Sequence, residues 1–170
     1  MWWLAAFVGS VTALVGLRAE TVAGAALTVV VAGLLIVQTP MDLRTRHLSR
    51  WATVIAVALV GAVIAADVIG DGVVRSGVVA FGVAVVVVAV YALLHRLSPR
   101  SLGWGDVLLV APLGLALGYM AADRVLVWQL LASTTGAIHA LVLRRMRGVS
   151  TIPFGPHLLF SAWLMLLVSV

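Results

Sequence analysis

Apolar runs long enough to cross a lipid bilayer follow one another along this chain, joined by connections only a few residues long. A helix needs about 20 apolar residues to traverse the hydrocarbon, with a range of about 17 to 25. Seven segments meet or approach that length, at roughly 2-17, 22-39, 51-70, 76-94, 106-122, 125-143 and 152-170. The first, fifth and last are short or contain Pro or Gly, so the expected fold is an all-α polytopic membrane bundle of six or seven spans. The valine-rich stretch from Val83 to Val90 would read as a buried strand in a soluble protein. In lipid the backbone must satisfy its own hydrogen bonds within the segment, and helix is the solution.

Hydrophobic residues make up 64% of the chain and charged ones 10%. Apolar residues supply only about half of an ordinary soluble domain, so a water-soluble fold is excluded. The 170 residues leave room for one membrane domain, 1-170, with any chemistry on the helices or their connections. The net charge of +5 comes from arginine, and the chain has no lysine. Nucleic-acid binding would need a basic face or stripe, which the pattern lacks. With no cysteine, disulfides, thiol catalysis and thiolate metal sites are excluded.

The arginines instead sort the connections. Arg44, Arg46 and Arg50 follow the second run, Arg96 and Arg100 the fourth, and Arg144, Arg145 and Arg147 the sixth. The other connections hold one arginine each, accompanied by Glu20, Asp71 and Asp123. By the positive-inside rule the first set faces the cytoplasm, giving an N-in, C-out chain if there are seven spans. The first run lacks the basic flank of a signal peptide and is expected to be a span or anchor.

Six acidic residues are present, and their positions narrow the search for a site. Glu20, Asp71 and Asp123 fall in predicted outer turns and Asp67 near an outer helix end, where solvated or interfacial charges are expected. Asp42 and Asp106 remain, at the cytoplasmic ends of two apolar runs and hence at one membrane level. Asp106 follows Leu102-Gly103-Trp104-Gly105 at the start of a span, a position where aspartate is also a good helix cap. Asp42 lies in Thr39-Pro40-Met41-Asp42-Leu43-Arg44, where an ion pair with Arg44 or Arg46 is the structural alternative. Two carboxylates brought together at low dielectric cannot both ionise readily, so one keeps a proton while the other acts as base. Such a pair activates water and protonates a leaving amine without a covalent intermediate.

Three segments resemble the type IV prepilin peptidase family, in the expected order. They are Asp42-Leu43-Arg44-Thr45-Arg46, Gly103-Trp104-Gly105-Asp106 followed by Val-Leu-Leu, and Ile152-Pro153-Phe154-Gly155-Pro156. The resemblance implies an intramembrane aspartic endopeptidase that removes the leader of prepilin-like proteins at the cytoplasmic face of the cell membrane. Its substrate would carry a basic leader and an apolar helix. It implies Asp42 and Asp106 as the catalytic pair, with no metal or organic cofactor. Gly103 and Gly105 would let a substrate backbone approach, and Pro153, Phe154, Gly155 and Pro156 would shape the rim. Where many members carry Ile-Pro-Asn after the first aspartate, this chain has His47-Leu48-Ser49. It resembles the short, peptidase-only class, for which methyl transfer is not implied. Two other readings are a catalytically inactive relative and a small proton-coupled transporter; the latter expects carboxylates near mid-bilayer.

Among the smaller signals, His95 and His157 are expected at membrane interfaces, and His139 is expected to hydrogen-bond a neighbouring helix. Trp51, Trp104, Trp128 and Trp163 suit interfacial belts or packing. Pro112 is expected to kink the fifth span, while Gly114 and Gly118 could form a helix-packing face.

Overall fold

A computed structural model describes residues 2–16, 21–45, 47–71, 74–98, 102–120, 122–147 and 153–169. Among these residues there are seven α-helices and no strand: α1 Trp2–Gly16, α2 Val22–Thr45, α3 Arg50–Asp71, α4 Val74–Leu97, α5 Trp104–Met120, α6 Val125–Arg147 and α7 Gly155–Ser169. A single 3-10 turn, Ala122–Arg124, leads into α6. The helices α2, α3, α4 and the segment Ala122–Met146 are long and apolar enough to cross a membrane, and α1, α5 and α7 are shorter apolar helices. The chain is thus an integral membrane helical bundle, as its apolar runs imply. The motif residues Arg46 and Ile152, and the loop residues Arg18, Glu20 and Arg100, lie outside the described residues.

One boundary differs from the sequence reading in a way that matters for the site. The second run is expected to end near residue 39, yet α2 continues through Pro40 to Thr45. Proline lacks an N–H and fits poorly inside a helix, but here it does not end one. Asp42 therefore projects from a helix rather than from a loop.

The bundle is held by close approach of small residues. A Cβ on Gly118 would lie 2.8 Å from the Ala80 Cα, and one on Gly114 would lie 3.1 Å from the Ala84 Cα. The pairing of 114 with 84 and 118 with 80 makes α4 and α5 antiparallel neighbours in tight contact. Lipid tails are as apolar as leucine, so helix association relies on such packing rather than on burial from water. Large apolar residues point outward accordingly: Val54, Ile55 and Leu59 on α3, Phe81, Val85 and Val86 on α4, and Leu130, Ile138 and Leu141 on α6 are exposed. The core falls on α2, α5 and α7, with Leu27, Leu35, Leu109, Leu113, Leu117, Leu158 and Leu166 fully buried.

Side-chain hydrogen bonds tie the helices together. Trp163 Nε1 on α7 donates to Thr12 Oγ1 on α1 at 3.0 Å, and Trp128 Nε1 on α6 donates to the Leu158 carbonyl at 3.0 Å. Both of these indoles serve packing rather than an interfacial belt. His139 on α6 pairs with His157 on α7, Nδ1 to Nε2, at 2.9 Å, so the interhelical bond expected of His139 has His157 as its partner. At the bundle end away from Asp42, the Tyr119 hydroxyl donates to Asp67, and Arg124 donates to Ser169 Oγ at 2.8 Å. The ends of α3, α5 and α7 and the start of α6 thus share one end of the bundle. The C-terminal end of α2 and the starts of α3, α5 and α7 share the other.

Candidate active site

Asp42 stands three residues before the end of α2 and is 6% exposed, and Asp106 is the third residue of α5 and 8% exposed. They come from segments far apart in sequence and face one cavity of about 310 Å³, lined by Asp42, His47, Leu48, Arg50, Gly103, Trp104, Gly105 and Asp106. The two carboxylates thus meet at one cavity although 64 residues separate them in the chain. A cavity of that size lies at the small end of the range that holds small ligands.

The local sequence explains how each carboxylate is placed. Asp106 Oδ2 accepts from the Gly103 N–H at 3.3 Å, and the Asp106 N–H donates to the Gly103 carbonyl at 3.1 Å. This is one half of a capping box, in which an acidic residue in the first turn satisfies a donor the helix leaves unpaired. Asp106 is therefore not the N-cap residue considered from sequence; Gly103 holds that position, and the Asp106 carboxylate reaches back to it from the third helical position while facing the cavity. On α4, His95 Nδ1 bonds the Leu102 carbonyl at 2.8 Å and its ring lies 5.3 Å from that of Trp104. His95 thus anchors the connection entering α5 rather than simply resting at an interface.

Asp42 is placed by a glycine. A Cβ on Gly155, the first residue of α7, would fall 2.8 Å from Asp42 Oδ2, so only a residue without a side chain lets the carboxylate lie there. The start of a helix carries the positive end of its dipole, a favourable surrounding for a carboxylate. Gly105 has a similar role toward Leu48, whose Cβ lies 3.2 Å from where a Gly105 Cβ would stand. Gly103 is more open, with Asp106 Oδ2 at 3.4 Å from its Cβ position.

Of the residues singled out by sequence, Asp42, Asp106, Gly103 and Gly105 line the cavity together, and Gly155 abuts Asp42. Phe154 turns elsewhere: its ring carbons approach the Cβ position of Gly136 on α6 to 2.9 Å. Pro153 and Pro156 are half-buried beside it and are not among the residues lining the cavity. His47, Leu48, Arg50 and Trp104 line the cavity without having been read as site residues. The available signal was proximity along the chain, since three of them lie five to eight residues beyond Asp42 and the fourth two before Asp106. Among the described residues, no three His, Cys, Asp or Glu side chains come together to hold a metal ion.

Paired carboxylates at one end of an apolar helical bundle, opening on a shared cavity, define a membrane protein with an acidic site. Comparison with known proteins supplies the family: residues 29–141 match the type IV leader peptidase family, and the chain belongs to it. Both aspartates fall inside the matched region. A prepilin leader peptidase/N-methyltransferase of Aeromonas salmonicida strain A449 is 42% identical over 69 residues, covering 39% of this chain and 23% of the relative. A second prepilin leader peptidase/N-methyltransferase, from Aeromonas salmonicida, matches to the same extent. The chain therefore spans under a quarter of the length of these curated relatives. No solved structure matches the chain. The family expected from the three motifs is thereby borne out.

Proposed function

We propose that this chain is an aspartic endopeptidase that removes the N-terminal leader of prepilin-like proteins at the cytoplasmic face of the cell membrane. Asp42 and Asp106 are its catalytic pair. The observation that carries the reading is the burial of two carboxylates, from α2 and α5, on one cavity at the end of the bundle.

Two like charges in a poorly solvated site share a proton, and the pair titrates as a unit. The ionised member takes a proton from a water molecule, whose oxygen attacks the scissile carbonyl carbon. The protonated member hydrogen-bonds the carbonyl oxygen as the tetrahedral adduct forms. Collapse of that adduct breaks the C–N bond while a carboxyl delivers a proton to the leaving amine. The products are a carboxylate on the leader and a free amine on the mature protein, with no covalent enzyme intermediate. Gly103 leaves room beside Asp106 for an extended backbone, whereas the space at Gly105 is taken by Leu48. The basic connections expected on the cytoplasmic side give the site its orientation, and the apolar helix of the substrate would stay in lipid against the bundle.

The test is leader removal from a prepilin-like substrate in proteoliposomes, read by mobility and N-terminal sequencing. Asp42→Asn and Asp106→Asn should each lower turnover by about 10²- to 10⁴-fold. The double variant should be no worse than either single one, because groups acting as a unit are not additive. Asp123→Asn, an exposed residue at the opposite end of the bundle, should match the wild type. Normal turnover by Asp42→Asn would remove the paired-carboxylate mechanism.

A further inference from the structure

Gln38 lies on α2 one helical turn before Asp42 and is completely buried. A buried amide is costly unless its donors and acceptor are used, and this one is used on a single backbone unit. The Ser49 N–H donates to Gln38 Oε1 at 2.8 Å, and Gln38 Nε2 donates to the Ser49 carbonyl at 2.9 Å. Nε2 also reaches Thr53 Oγ1 at 3.1 Å, on the first turns of α3. Ser49 in turn caps α3, its Oγ accepting from the Ala52 N–H at 3.3 Å. The end of the connection between α2 and α3 is thereby fastened both to the helix that carries Asp42 and to the helix that follows.

The residue immediately before this clamp is Leu48. Its side chain fills the space left by two glycines: its atoms lie 3.2 to 3.5 Å from the Cβ position of Gly105 and 3.2 to 3.3 Å from that of Gly155. Gly105 directly precedes Asp106, and Gly155 abuts the Asp42 carboxylate, so Leu48 is wedged between the helix starts on which both acids depend. It also forms part of the cavity wall. A leucine on a loose loop would yield to a bulky ligand, whereas one seated by a two-way backbone clamp sets a fixed boundary.

We infer that Leu48 is the specificity-determining wall of this cavity, limiting the substrate residue presented to the carboxylates to a small side chain, and that Gln38 is the positioning residue that holds it. The inference rests on the proposed carboxylate pair. Trimming the wall to alanine opens space beside both acids while leaving the carboxylates and their glycine contacts in place. In an apolar pocket one methylene changes discrimination by about 10- to 200-fold.

The experiment measures kcat/KM in proteoliposomes for four leader substrates that carry Gly, Ala, Val or Leu immediately before the cut. Wild type should favour Gly and Ala. In Leu48→Ala the ratio of Val to Gly turnover should rise about tenfold or more, with Leu48→Val intermediate. Gln38→Leu, which removes the clamp and keeps the wall residue, should also raise the ratio, and Gln38→Glu, which retains an acceptor for the Ser49 N–H, should raise it less. A wild type that does not discriminate, or variants that slow all four substrates by one common factor, would overturn the inference. Should Leu48→Ala fail to accumulate in the membrane, the Leu48→Val ratio decides. Asp42→Asn run in parallel separates the two ideas: if it cleaves normally the carboxylate mechanism fails, whereas a lost cleavage with unchanged Leu48 ratios defeats only the wall.

Discussion

Replacing Gly155 with alanine isolates the contact that seats Asp42. The new methyl would stand 2.8 Å from Asp42 Oδ2 and 3.2 to 3.3 Å from the Leu48 methyls. Unstrained heavy-atom contacts lie near 3.5 Å, so the carboxylate must withdraw by about 0.7 Å and Leu48 by a few tenths. Overpacking a filled site costs about 1 to 3 kcal/mol. Misplacing a reacting group by about 1 Å costs about 100-fold in rate, so a shift of this size should lower kcat by about tenfold or more. The assay is steady-state leader cleavage in proteoliposomes alongside thermal unfolding in detergent. Gly82→Ala is the companion variant, because a Cβ there meets nothing within 4 Å. It should leave activity unchanged and stabilise α4 by about 0.5 to 1 kcal/mol. Wild-type kcat in a folded Gly155→Ala protein would refute the claim that this glycine sets a position of the Asp42 carboxylate on which the proposed chemistry depends.

Other expectations are as direct. Gly118→Ala places a methyl 2.8 Å from the Ala80 Cα; backbone cannot step aside as a side chain does, so the bundle should lose about 1 to 3 kcal/mol, visible as a lower unfolding temperature. His139→Phe removes the bond to His157 and should cost about 0.5 to 1.5 kcal/mol without moving the substrate preference. Reporter tags inserted after Thr45 and Ser98 should label from the same side of the membrane, and one between Asp71 and Val74 from the other, as the arginine distribution requires. Opposite labelling of the first two would separate the two aspartates and end the peptidase reading.

How much of this was legible beforehand follows from the physics of each part. A lipid solvent forbids unpaired backbone, so apolar runs of membrane length could only be helices. The parity of successive spans then placed Asp42 and Asp106 at one end, and the three motifs by themselves pointed to the family. A packing face on α5 was also readable, because Gly114 and Gly118 recur four residues apart on one side of the helix, but its partner α4 was not. Local signals failed at Pro40, where a residue that usually ends helices is carried inside α2 and puts Asp42 on a rigid element.

The interior of the site lay beyond the sequence. Phe154 was grouped with the cavity as part of the Pro153-Phe154-Gly155-Pro156 segment that resembles the family, yet its ring packs against Gly136 on α6. Gln38 carries no motif, and Leu48 stood out only as part of His47-Leu48-Ser49, where the chain departs from the family pattern without indicating what the leucine touches. What gives them meaning is the meeting of α2, α5 and α7, where Leu48 enters the space of two glycines and Gln38 fastens the backbone behind it. Solvent and chain parity decide which segments are helices and which ends coincide. The distances at which side chains exclude one another exist only once those helices are packed, and those distances decide where each carboxylate stands.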